Sequence, residues 1–306
     1  LDRALSIADY HAKRARFDEI NPSLRVRKGI GLATFMHGAG FTGSGEDHLA
    51  SVVAVEAGAD GRVRVLSSNA EIGQGTNTIF AQIAADTLGV PPESIEIAQP
   101  DTSIVPDSGP TVASRTCMVV GKLVETAARG LITELKKVGF ADGADAAAFE
   151  RACAAYVARF GPLRAIARYQ APPGLRWDDE TYQGDAYGTY AWAVYVAEVS
   201  VDTTTWETRV DDFVAVQEVG KVINPTLATG QIEGGVAQAI GWALYERVVW
   251  REGRMANGEM TNYIMPTSMD LPPIRVFFEE QPYAYGPGGA KGIGELPMDG
   301  PAPAIL

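Results

Sequence analysis

The run YAWAVYVAEVSVDTTTWETRVDDFVAVQEVG, residues 190–220, reads as one long hairpin, and it sets the terms for the rest of the chain. Upstream, HLASVVAVEAGADGRVRVLSSNA is a second hairpin, with alternating apolar residues on both sides of an Asp60-Gly61 turn. Helices alternate with these hairpins. NTIFAQIAADTLGV is an amphipathic helix stopped by Gly89 and two prolines. A long helix runs to about Val138, with Val120, Leu123, Val124, Ala127, Leu131 and Leu135 on one face. An alanine-rich helix follows at about 144–159, and another spans NPTLATGQIEGGVAQAIGWALYERVVW. ESIEIAQPD and PPIRVFFEE are short strands, and the first twenty residues form an amphipathic helix. RKGIGLATFMHGAGFTGSGE is dense in glycine and reads as irregular. Hairpins alternating with long helices predict an α+β fold with mixed sheets, not a regular βαβ series. The expected organisation is one lobe over 1–306, divisible into subdomains 28–190 and 191–306.

Composition narrows the function. The formal net charge of -12 argues against nucleic acid as the main partner. No apolar run approaches the roughly 20 residues of a membrane span. Two cysteines, Cys117 and Cys153, exclude a disulfide framework and a cysteine-ligated iron–sulfur cluster within this chain. His11, His37 and His48 are scattered, and His37 and His48 read as loop or surface residues rather than metal ligands. The chain opens on Leu1 and stops at PAPAIL, straight after a Gly/Pro-rich stretch. Both ends suggest a piece of a longer polypeptide or a processed subunit.

Three places share one design, a glycine-rich loop with one amide or carboxylate beside a helix. They are Gly73-Gln74-Gly75, Gly230-Gln231 with Gly234-Gly235, and Gly292-Ile293-Gly294-Glu295. Glycine lets backbone N–H groups approach a ligand, and a helix N-terminus favours an anion. Glutamine offers a paired donor and acceptor, suited to the edge of a heterocycle. The loop TVASRT adds Ser114, Arg115 and Thr116 at a helix start, where hydroxyls, a guanidinium and free amides suit phosphate. Each piece alone has an ordinary reading: a turn, close helix packing, a surface cation, a solvated carboxylate. The usual nicotinamide and P-loop fingerprints are absent. The residues by themselves reach a glycine-lined site for a large, polar, phosphorylated heterocycle, with one glutamate.

Four stretches, EIGQGTNTIFAQIAADTLGV, SGPTVASRTCMVVG, GKVINPTLATGQIEGGVAQAIGWALYE and GAKGIGELP, occur in the order found in the xanthine oxidase family of molybdenum hydroxylases. From about residue 28 onward the chain resembles the C-terminal half of that family's molybdenum-cofactor subunit. The resemblance implies that Glu295 is the active-site glutamate. It places Gly73, Gln74, Gly75 and Gln231 on the pterin. It puts Val112, Ala113, Ser114, Arg115 and Thr116 near the metal and cofactor phosphates, with Gly292 and Gly294 letting the Glu295 loop fold over the metal. No protein side chain ligates the metal directly. Ser114-Arg115 favours the cytosine dinucleotide form of molybdopterin.

In such a family a carboxylate takes a proton from the oxygen nucleophile that the metal supplies, and the metal is reduced by two electrons. A closed, apolar site around Glu295 would suit that task. The implied activity is oxidative hydroxylation of an aldehyde or N-heterocycle with water as the oxygen source, in the cytoplasm. Electrons pass to [2Fe–2S] and FAD groups on partner chains or domains. The family's N-terminal half, which shapes much of the substrate pocket, has no counterpart here, so substrate identity is not written in this chain. The competing readings are a non-catalytic molybdopterin-binding or assembly module, and a glycine-rich structural protein. On its own, the chain is expected to leave segments near 106–116 and 286–297 mobile and to hold no cofactor.

Overall fold

A computed structural model describes residues 1–306. In chain order it runs α1 (Asp2–Ile7), α2 (Tyr10–Ile20), β1 (Val26–Gly38), α3 (Gly45–Leu49), β2 (Val52–Ala57), β3 (Val63–Leu66), α4 (Thr76–Leu88), β4 (Ile95–Ile97), α5 (Gly121–Leu135), α6 (Ala146–Phe160) and β5 (Leu163–Arg168). It continues with β6 (Trp177–Asp178), β7 (Gln183–Gly184), β8 (Tyr190–Asp202), β9 (Thr208–Glu218), α7 (Pro225–Leu244), β10 (Trp250–Arg251), β11 (Arg254–Met255), β12 (Ile274–Glu279), α8 (Leu296–Asp299) and α9 (Pro301–Ile305). The fold is α+β, as the sequence pattern predicts. No helix is long and apolar enough to cross a membrane.

Two four-stranded sheets organise the chain. The first has the order β1-β8-β9-β12; its centre is the long hairpin β8–β9, and β12 joins β9 in parallel. Its strands are apolar on both sides because both faces are covered. Tyr195, Ala197, Phe213 and Ala215 pack with Ile232, Val236 and Ile240 of α7, which recur at four-residue steps, and with Leu296 and Ala304 of α8 and α9. Val196, Val214 and Val216 pack with Ala4, Ala8 and Phe17 on the other face. The second sheet has the order β4-β3-β2-β5. Val53, Val55, Val63 and Val65 meet Phe80, Ile83, Leu123, Val124, Leu131 and Phe149 there, so α4, α5 and α6 all cover it.

Two sequence expectations change. The first helix is two, broken at Asp9, whose φ of 51° turns the chain between α1 and α2. The glycine-dense segment after it is not irregular but contains β1, thirteen residues long and paired along its whole length with β8. Its glycines serve close approach: a Cβ on Gly31 would stand 2.3 Å from the carbonyl oxygen of Ala304. The first sheet joins residues 26–38 to 190–279.

Candidate active site

The site forms where β1 ends. Past Gly38 the chain turns, and Gly40 N–H donates to the carbonyl of Ala113 at 2.8 Å. This bond seats the 109–115 loop against the strand end. Ala113 and Ser114 are both left-handed, with φ of 52° and 53°. For two successive residues with side chains this costs on the order of 1–3 kcal/mol each, so the surroundings must impose it.

Arg115 does so from beneath. Its side chain is fully buried and bonds both carboxylate oxygens of Glu46, the Ser51 hydroxyl, and the carbonyls of Ser108 and Pro110, at 2.7–3.2 Å. This corrects the sequence reading of Arg115 as a phosphate-facing guanidinium, because its donors are committed inward to Glu46 and the loop. Val112 is exposed and Thr116 half-buried, at the start of the π-turn that leads into α5.

The glycine-rich loop before α8 is stitched to the ends of β8 and β9. Lys291 N–H donates to Val219 O at 2.9 Å, and Lys221 N–H to Gly289 O at 3.0 Å. The Lys291 ammonium, itself buried, meets Glu218 at 2.6 Å and Tyr190 O at 3.0 Å. Charge-assisted bonds from Arg115 and Lys291 tie segments 106–116 and 286–297 to the fold, and Leu296 anchors the second in the core of the first sheet.

Gly292 sits hard against Ser114: a Cβ there would lie 2.3 Å from Ser114 O and 2.4 Å from the Ala39 Cβ. At Gly294 the nearest atom would be 3.6 Å away, an ordinary contact. Gly292→Ala is therefore expected to cost about 1–3 kcal/mol by overpacking, and Gly294→Ala much less. Thermal denaturation of the two variants checks the order, and equal losses would show that the 114–292 contact is not the constraint.

Glu295 follows at the N-cap of α8. Its backbone N–H donates to Ser114 Oγ at 2.9 Å, and the Ser114 hydroxyl lies 3.3 Å from its Oε2. Its side chain is 57% exposed, so within this chain the glutamate stands in the open rather than in the closed apolar site expected. His37, the penultimate residue of β1, brings Nε2 to 3.3 Å from Glu295 Oε2 and Nδ1 to 2.9 Å from Asp299 Oδ2. The sequence reading of His37 as a loop or surface residue is thereby corrected. The hydrogen bond that the ring donates to Asp299 raises the imidazole pKa above its ordinary value; partial burial opposes the rise, and the charges of Asp299 and Glu295 reinforce it. The linked contribution to folding is complete below the ordinary histidine pKa and disappears as pH rises through the raised one.

The glutamines behave differently from each other. Gln74 braces its own loop: its amide donates to Ala70 O and Thr76 Oγ1 and accepts from Ile72 N–H, all at 2.8 Å. The N-terminus of α4 already holds an anion, because the Glu71 carboxylate accepts from Gly73, Gly75 and Asn77 N–H at 2.8–3.0 Å. Partial burial pushes the Glu71 pKa up, but these backbone donors outweigh it and hold the carboxyl below its ordinary range. Gln231 does not open its helix; α7 starts at Pro225, capped by Asn224, and Gln231 lies nearly two turns in.

Both glutamines still line one cleft of about 70 Å³, with Cys117, Leu227 and Ile293. Burial pushes the Cys117 thiol up to about 12, so it stays protonated. Gly73, Gly230 and Gly234 have open space where a Cβ would stand. The half-buried Gln231 amide, set among apolar side chains, suits the polar edge of a heterocycle.

Comparison with known proteins decides the family. A molybdopterin cofactor-binding domain model matches residues 3–272. The chain belongs to this family. It corresponds to the C-terminal part of the molybdenum-binding subunit of the xanthine oxidase family. It is 30% identical to the gamma subunit of the 6-hydroxypseudooxynicotine dehydrogenase complex of Paenarthrobacter nicotinovorans, over 92% of this chain and 37% of that one. It is also 30% identical to an aldehyde oxidoreductase of Megalodesulfovibrio gigas, over 92% of this chain and 30% of the relative. The crystal structure of the aldehyde oxidoreductase from Desulfovibrio desulfuricans superposes with a TM-score of 0.83 at 29% identity, covering 98% of this chain and 32% of that one. The molybdopterin-domain chain thus spans well under half the length of each of these relatives.

His37, Glu46, Glu71, Lys291 and Asp299 escaped the sequence reading of the site. Glu71 had a local signal, a carboxylate five residues before a helix. The others act across 69 or more residues of chain and had none.

Proposed function

We propose that this chain is the cofactor-holding, base-supplying part of a molybdenum hydroxylase that hydroxylates an aldehyde or N-heterocycle with water as the oxygen source. The observation that carries the reading is convergence. Gln74, Gln231 and Ile293 share one cleft, and Glu295, two residues on, is held by Ser114 and His37 with its carboxylate facing solvent. A bound molybdenum–pterin group would supply a Lewis-acidic metal and a two-electron acceptor.

The chain's own residues do the rest. Gln231 offers paired donor and acceptor atoms to the pterin edge, while Gln74 and Glu71 fix the loop that faces it. Glu295 accepts the proton at its free carboxylate, and Ser114 fixes its rotamer. The cytosine dinucleotide form belongs to this proposal on the strength of the Ser114-Arg115 sequence alone, since the Arg115 guanidinium is turned inward to Glu46. So do a cytoplasmic setting and partner chains bearing [2Fe–2S] and FAD groups, together with the N-terminal half of the molybdenum subunit. One relative is itself named as a subunit of a complex.

The test is Gln231→Ala in the complete complex. Molybdenum and pterin content should fall, with the rate per bound molybdenum unchanged. Full cofactor with a lowered rate per metal would move Gln231 from binding to catalysis. A native complex without molybdenum would overturn the reading. Gln74→Ala should also lose cofactor, through its loop.

A further inference from the structure

Asp299, His37 and Glu295 stand in a row across the end of β1. The imidazole is largely buried between two carboxylates, 2.9 Å from one and 3.3 Å from the other. Every element around the ring adds to that description. From α8 and the loop before it come Asp299 and Glu295. The 109–115 loop contributes only the Ser114 hydroxyl, 3.4 Å from Nε2. Across the strand pair His37 faces Ala191 of β8. No second cation reaches the carboxylates at this spot, so the ring is the only group that can balance them.

We infer that His37, fixed by Asp299, is a positioning residue for Glu295: as an imidazolium it donates to the Glu295 carboxylate and holds it in the orientation in which it accepts a proton. The inference rests on the reading of Glu295 as the base. With both ring nitrogens protonated, Nδ1–H donates to Asp299 and Nε2–H to Glu295, and the trio carries one net negative charge. When Glu295 takes up a proton the trio becomes neutral, and no other group needs to change its protonation. Ser114 completes the geometry, since its Oγ accepts from the Glu295 N–H and its hydroxyl reaches the same Oε2 that faces the ring.

A merely structural tie between β1 and α8 would use the same contacts. It would not require a charged ring, and the two roles separate by titration of His37. The test uses the assembled enzyme. Hydrogen exchange at the imidazole C2 position, read by peptide mass spectrometry across pH, reports the titration of His37 without turnover. It should place the midpoint above that of an ordinary histidine, and Asp299→Asn should lower it.

In kinetics, His37→Gln should reduce turnover roughly 10–100-fold at constant molybdenum content, the scale for a group that orients a reacting one. The alkaline limb of the pH–rate profile, set by loss of the His37 proton, should disappear in this variant. Should His37→Gln fail to assemble, Asp299→Asn keeps the ring in place, and its alkaline limb should move to lower pH with the lowered His37 midpoint. A His37 midpoint indifferent to Asp299→Asn would overturn the inference, as would an alkaline limb unmoved by Asp299→Asn while Glu295→Gln is inactive. An active Glu295→Gln enzyme would instead overturn the assignment of the base itself.

Discussion

Replacing Glu295 by glutamine in the assembled enzyme is expected to lower turnover by at least about 10²–10⁴-fold, the range for removal of a general base, while molybdenum content is retained. The geometry makes this substitution unusually clean. The backbone N–H to Ser114 Oγ bond at 2.9 Å involves no atom of the changed side chain. The Ser114 hydroxyl can still donate to the amide oxygen, and the half-exposed position imposes no burial cost. What glutamine lacks is a lone pair basic enough to take a proton. The loss should therefore appear in kcat and kcat/KM together, with little change in melting temperature. Aspartate at the same position keeps the base but withdraws it from His37 and from the open side, and should retain an intermediate rate. Near-normal turnover of Glu295→Gln at full molybdenum occupancy would remove Glu295 from the chemistry.

Legibility followed the range of the interactions. The β2–β3 hairpin, α4 and the apolar face of α5 are set by periodicities of two and 3.6 residues within a single segment, and all three form where the sequence puts them. The order of the glycine-rich motifs likewise survives in space: Gln74, Gln231 and Ile293 meet in one cleft. What sequence reasoning missed depends on partners far along the chain. Glycines that look like loop in 29–38 are strand, because the reason for Gly31 is a carbonyl at residue 304. Arg115 looks like an anion-binding cation until Glu46, 69 residues earlier, is seen to hold it. His37 looks isolated until α8 brings Asp299 beside it. A charged residue cannot be assigned to a ligand or to the fold without knowing which opposite charge the topology delivers.

The Arg115–Glu46 pair carries the second large effect. Arg115→Met in the full complex is expected to cost about 3–5 kcal/mol, the scale for breaking a buried ion pair and stranding one partner. The side chains are 0% and 7% exposed. Methionine fills much of the volume, so the loss is electrostatic. Glu46 would keep only the Phe41 N–H, at 3.1 Å, as a donor. Ser51 would lose its guanidinium partner, and the carbonyls of Ser108 and Pro110 would each lose a bond. For a chain of this size the melting temperature should fall by on the order of 10 °C. The left-handed Ala113–Ser114 turn loses what imposes it, so Ser114 should leave Glu295, and turnover should fall further than the loss of folded protein accounts for. The double variant Glu46→Leu with Arg115→Met separates charge from shape. Removing both ions relieves the stranded carboxylate, so the double variant should be more stable than Arg115→Met alone. Strict additivity of the two single losses, or a melting temperature for Arg115→Met within a degree of the unaltered protein, would show that the pair does not hold the loop.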